Sequence, residues 1–118
     1  MIEQLDLKDY TDEDFVNTSI IMAVMAHEGQ KDKSWKPYIF HPMTVALNFP
    51  DDPNAFVVAM LHDTFEDCKE EMIIEMIRSA FKPHIIEAVE AISKKEGETN
   101  VDYWKRCRKN PLALKVKL

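Results

Sequence analysis

The stretch His62-Asp63-Thr64-Phe65-Glu66-Asp67 places four ionisable side chains directly after the apolar run Ala55–Leu61. On a continuing helix, four residues turn through about 400°, so His62 would share a column with Glu66, and Asp63 with Asp67. Carboxylates grouped at the edge of an apolar helix repel one another and lose solvation unless a cation joins them. A divalent metal supplies that cation. Imidazole mixed with carboxylates suits Mn²⁺, Fe²⁺ or Zn²⁺ better than Ca²⁺, whose sites are built from oxygen. The alternative is a helix end that emerges into solvent with His62 satisfied by a neighbour, so the metal reading requires a further histidine to converge. His41, held in Pro37-Tyr38-Ile39-Phe40-His41-Pro42, is the candidate. His27 reads as a structural residue bonding the last carbonyls of the first helix, and His84 as a surface residue at a helix start.

These residues need helices to position them, and the periodicity is helical almost throughout. Thr11 with Asp14 reads as an N-terminal cap. From there Phe15, Ser19, Met22 and Ala26 recur at helical spacing. Ile20–Ala26 is apolar on nearly every side, so this helix is expected to be central and largely buried, closed by a left-handed Gly29. Lys31–Lys36 is a cationic loop. A second helix is expected from Pro42 to about Asn48, and Pro50-Asp51-Asp52-Pro53 breaks the chain. The third runs from Asn54 to about Asp67, the fourth from Glu70 to Ala80, and the fifth from Pro83 through Ile92. Segments 102–109 and 111–118 follow a loop containing Gly97. Met22, Met25, Met60, Met72 and Met76 fall in apolar runs and read as core filling. The expected fold is all-α, a single helical bundle over residues 1–118.

Composition narrows the function classes. The 118 residues include two glycines and six prolines, which disfavours a sheet-rich fold with many tight turns. A net charge of −6 with a pI near 5.2 argues against generic nucleic-acid binding. The longest apolar run is too short to span a membrane. The first fourteen residues carry six acids and one lysine, so no secretory leader is expected. Cys68 and Cys107 form neither a disulfide framework nor a metal knuckle, and a reducing cytoplasm is the expected compartment. Asp63–Glu75 holds six acids and one lysine, whereas Lys105–Lys117 holds six bases and no acid. That polarity suits a carboxylate-bound metal with cations nearby for an anionic substrate, or two solvated helix faces.

Ala26-His27-Glu28-Gly29-Gln30, PYIxHP at Pro37–Pro42, HDxxED at His62–Asp67, Asn110-Pro111-Leu112-Ala113 and Val116-Lys117-Leu118 occur in this order. The combination resembles the HD-domain phosphohydrolases of the RelA/SpoT type, especially the small stand-alone alarmone hydrolases, from about Phe15 to Leu118. The resemblance implies Mn²⁺ (or another divalent transition metal) held by His41, His62 and Asp63. It implies that Glu66 and Asp67 position and deprotonate the attacking water, with Lys33 and Ser34 approaching the nucleotide and Tyr38 packing behind them. The reaction implied is removal of pyrophosphate from the 3′ position of guanosine tetra- or pentaphosphate.

The pattern departs from the family at three points. Asp32 stands where an arginine usually stacks on guanine, and it would repel a polyphosphate. Trp35 replaces a glycine and offers either a stacking or a packing surface. The fourth ligand implied by the resemblance is an aspartate about two residues past Leu118, so the chain is expected to be truncated before it. The last helix would then be incomplete and the metal left with three protein ligands. Two other readings stay open. One is an HD phosphohydrolase of another nucleotide such as NADPH. The other is a catalytically defective module whose cationic C-terminal segment docks an acidic partner or a second copy.

Overall fold

Helix α3 (Pro53–Leu61) is the axis of the fold. Asp52 caps it by accepting the Ala55 N–H at 3.1 Å, and Pro53 occupies the first helical position, where its missing N–H has no partner to lose. Ala55 through Leu61 are all buried, as befits a helix apolar on every face. Burying Met60 or Leu61 contributes roughly 1.5–3 kcal/mol each. Around this axis pack α1 (Asp12–Ala26), α2 (Phe40–Ala46), α6 (Pro83–Ile92) and α8 (Pro111–Lys117). α5 (Glu71–Ala80) lies against α1, and α7 (Asn100–Arg108) joins α6 to α8. The single turn α4 (Thr64–Asp67) leans on α1.

The computed structural model describes residues 6–118. Among these residues all regular structure is helical, apart from one isolated bridge between Lys31 and Pro37 that closes the loop between α1 and α2. The all-α bundle is therefore as expected. Thr11 and Asp14 form the reciprocal cap at the start of α1, and Gly29 takes φ +79° just past its end. Both cysteines are buried and free, and no described helix is long and apolar enough to cross a membrane.

Four expectations about the elements are corrected. Helix α1 is peripheral: Ser19, Ala23 and Ala26 are buried, but Ile21 and Val24 are 58% and 49% exposed, because α3 and α5 cover only one side. Of the five methionines assigned to the core, only Met60 is fully buried. Met72 and Met76 stand on the outer face of α5, because Ile73 and Ile77 supply its inward face. Helix α2 begins at Phe40 rather than Pro42, so His41 lies in its first turn. Pro42 fits there because the N–H groups of a first turn have no intrahelical acceptor. Finally, the third helix does not run on to Asp67. It ends at Leu61, and a short break at His62 and Asp63 precedes α4.

Candidate metal centre

The break at His62 and Asp63 creates the local geometry of the site. The His62 N–H reaches the Ala59 carbonyl only at 3.4 Å, and the Thr64 hydroxyl donates to the Leu61 carbonyl at 2.7 Å, closing off the helix end. A new turn then starts, with the Asp67 N–H on the Asp63 carbonyl at 2.9 Å. The two columns expected of a continuous helix are thus lost. His62 and Asp63 instead turn to a common point, where His41 meets them from the first turn of α2. His62 Nε2 lies 3.1 Å and His41 Nε2 3.3 Å from Asp63 Oδ2, and the two Nε2 atoms are 3.3 Å apart.

This donor set fits a divalent transition metal. One ligand atom from each of His41, His62 and Asp63 lies within 4.8 Å of the others, and no other such group forms among the described residues. His62 Nδ1 is 2.5 Å from the Ala59 carbonyl, which can only accept, so Nδ1 carries a proton in either charge state and Nε2, which faces Asp63, is the atom that neutral His62 offers to a metal. The Tyr38 hydroxyl donates at 2.8 Å to Asp63 Oδ2, the same oxygen that both imidazoles face, and so fixes its position. Burial opposes ionisation of Asp63, but its bond to His62, followed by Tyr38 and His41, holds the carboxyl at about 2. Burial likewise disfavours a charged His62, yet Asp63 and the Ala59 carbonyl outweigh it and raise its pKa. Tyr38 is pushed well above its usual value by burial and then by Asp63.

Glu66 and Asp67 diverge from one another. The Glu66 carboxylate accepts the backbone N–H of Lys94, just past the end of α6. Asp67 is half-buried on the Tyr38 side, and burial followed by the Asp63 charge raises its pKa. Gln30 fixes the Asp67 backbone by donating to its carbonyl at 3.0 Å. The Gln30 oxygen in turn faces His27 Nδ1 at 2.8 Å. His27 is accordingly a buried structural residue, but its ring bonds Gln30 rather than the last carbonyls of α1. His84 is exposed at the start of α6, as expected.

Beside His41 opens a cleft of about 500 Å³ lined by Lys31, Asp32, Lys33, Tyr38, Phe40 and Thr44. Lys33 is among its walls and Ser34 is not. The Ser34 N–H is bonded to Asp32 Oδ1 at 2.8 Å, and the same oxygen accepts from Lys36 N at 3.0 Å. Asp32 is therefore a turn-forming residue whose charge is turned into its own loop, rather than simply a repulsive group facing a substrate. Trp35 neither packs nor lines the cleft: it is 83% exposed, at φ +62°, a conformation that favours the glycine it replaces. Sequence reasoning missed Lys31, Phe40 and the Tyr38 hydroxyl. An aromatic residue three positions before a candidate ligand was the available signal for Tyr38.

No family model matches the chain. It is 37% identical over 79 residues to a guanosine-3′,5′-bis(diphosphate) 3′-pyrophosphohydrolase of Vibrio cholerae serotype O1, covering 64% of this chain and 11% of that protein. A protein of the same name from Aquifex aeolicus is 37% identical over 71 residues, covering 58% of this chain and 10% of its own. A GTP pyrophosphokinase of Myxococcus xanthus is 33% identical over 88 residues, covering 70% and 12%. The chain thus spans about a tenth of the length of the curated relatives it matches. These similarities support a relationship to enzymes of the RelA/SpoT type, whose names include both a hydrolase and a pyrophosphokinase.

Proposed function

We propose that this chain is a metal-dependent phosphohydrolase of the HD type that removes pyrophosphate from the 3′ position of guanosine tetra- or pentaphosphate, with Mn²⁺ as the preferred ion. The observation that carries this reading is the convergence of His41, His62 and Asp63 on one point at the rim of a cation-lined cleft. The donor set favours the hydrolase over the pyrophosphokinase suggested by some relatives. Pyrophosphoryl transfer from a nucleotide uses Mg²⁺, which prefers carboxylates, water and phosphate oxygens, whereas two imidazoles beside one carboxylate suit a transition metal.

His41, His62 and Asp63 would hold the ion, which lowers the pKa of a water and polarises a phosphoryl oxygen when bound. The protein's own contribution follows from the surrounding groups. Lys31 and Lys33 draw the polyphosphate into the cleft. Asp67, half-buried on the Tyr38 side and fixed through its carbonyl by Gln30, takes the proton of the water. Glu66, fixed by the Lys94 N–H, orients the water. Tyr38 and the Ala59 carbonyl lock the Asp63 carboxylate and the His62 ring, so little reorganisation is needed.

A second reading, hydrolysis of another nucleotide such as NADPH, draws support from position 32. Asp32 is folded into its loop, and no guanidinium stands there to select guanine. The experiment is a phosphate- and pyrophosphate-release assay with Mn²⁺ on guanosine tetraphosphate and on NADPH. Glu66→Gln is expected to lower turnover by about 10²-fold, because the water loses its orientation, while leaving metal binding intact. Pyrophosphate release only from the guanosine compound supports the first reading. No release from either substrate contradicts both.

A further inference from the structure

Resting on the nucleotide reading above, we propose that Phe40 is the platform on which the base of the substrate stacks. The cleft beside His41 holds three kinds of surface. Lys31 and Lys33 supply cations, and among the described residues neither amine has a carboxylate within 4 Å. His41 brings the cleft to the reacting end. Tyr38 and Phe40 contribute aromatic surface, and Asp32, whose Oδ1 is taken up by its own loop, and Thr44 complete the walls.

These two rings are not equivalent. Tyr38 is engaged, with its ring centroid 4.9 Å from that of His27 and 5.6 Å from that of His41, and its hydroxyl on Asp63. Phe40 is 53% exposed and pairs with no aromatic ring or cation among the described residues. A half-exposed phenyl beside two unpaired lysines is poorly placed for packing and well placed for an anionic ligand with a flat apolar part. The other exposed apolar side chains lack this setting: Ile21, Val24 and Met72 line no part of the cleft, and neither does Trp35. Phe40 is also held in register with the metal ligands. It precedes His41 directly, and its carbonyl accepts the Thr44 hydroxyl at 2.7 Å, which braces the first turn of α2. A base on Phe40 therefore sits at a fixed offset from a phosphate at the metal centre.

The test is equilibrium binding in EDTA, so that it does not depend on turnover, with guanosine tetraphosphate as the nucleotide and inorganic pyrophosphate as the baseless control. The native protein is expected to bind the nucleotide at least about tenfold more tightly than pyrophosphate. Phe40→Ala should remove about tenfold of the nucleotide affinity and leave pyrophosphate binding unchanged, and Phe40→Trp should restore the nucleotide. Circular dichroism of both variants checks that α2 remains folded. Equal binding of the two ligands by native protein overturns the proposal. So does an unchanged nucleotide affinity in Phe40→Ala, an equal loss for both ligands, or no measurable nucleotide binding. A Phe40-dependent affinity without Mn²⁺-dependent hydrolysis would sink the hydrolase reading and leave this one standing.

Discussion

Two polar clusters flank the core of this protein, and each holds a carboxyl group at about 2. In the cluster joining α6 to α7, Arg106 donates to both Glu98 oxygens at 3.0 and 2.9 Å and to the carbonyls of Glu90 and Ser93 at 2.7 Å each. Its donors meet acceptors, and the Glu98 charge is answered by a permanent cation. In the cluster at the start of α2 and the end of α3, two imidazole Nε2 atoms and a carboxylate oxygen converge, with Tyr38 as a donor. A saturated cluster is a structural clamp. A cluster of converging ligand atoms with no permanent cation among them is the one we propose a metal ion completes, and that difference separates the two more clearly than burial or charge does.

The comparison can be broken most visibly at Arg106. Arg106→Ala should destabilise the fold by about 2–3 kcal/mol, because two carbonyls lose a charged donor, while Mn²⁺ affinity stays within a factor of about two. Chemical denaturation and metal titration on the same variant check both halves. Next comes Tyr38→Phe, which leaves all three candidate ligands in place and removes their outer support. Its Mn²⁺ affinity is expected to fall by about tenfold, read by competition with a chelating dye, with little change in stability. The smallest effect concerns acid. Glu98 sits below its ordinary 4.5, chiefly through its bond to Arg106, so its contribution to stability is complete above that value. That contribution is lost as pH falls through about 2. Glu98→Gln should flatten this acid limb in thermal unfolding curves, and an unchanged limb would place the acid sensitivity elsewhere.

Much of the architecture could be read from the residue order, and the exceptions share a cause. The start of α1, its Gly29 exit and the helical character of every segment follow from local capping and periodicity. The approach of His41 to His62 and Asp63 was readable too, since two prolines restrain the entry to α2 next to a histidine. What stayed hidden depended on neighbours. The stretch Ile20–Ala26 of α1 is apolar on nearly every side and reads as buried, but its burial is decided by how far α3 and α5 reach around it. Met72 and Met76 look like core residues until Ile73 and Ile77 take the inward face of α5. The break at His62 and Asp63 carries no proline or glycine to announce it. It is closed by the Thr64 hydroxyl turning back on Leu61. Asp32 reads as a charge facing substrate, yet two backbone N–H groups of its own loop claim it first.

His41, His62 and Asp63 are together proposed to bind one divalent transition metal. Titration of the chelator-treated protein with Mn²⁺, followed by electron paramagnetic resonance, tests it most directly. The native chain is expected to take up a single equivalent. His62→Ala, which leaves the Arg106 clamp untouched, should take up none while retaining its helical circular dichroism. A native protein that leaves Mn²⁺ free in solution, or a His62→Ala variant that binds it as well as the native chain does, would contradict the account.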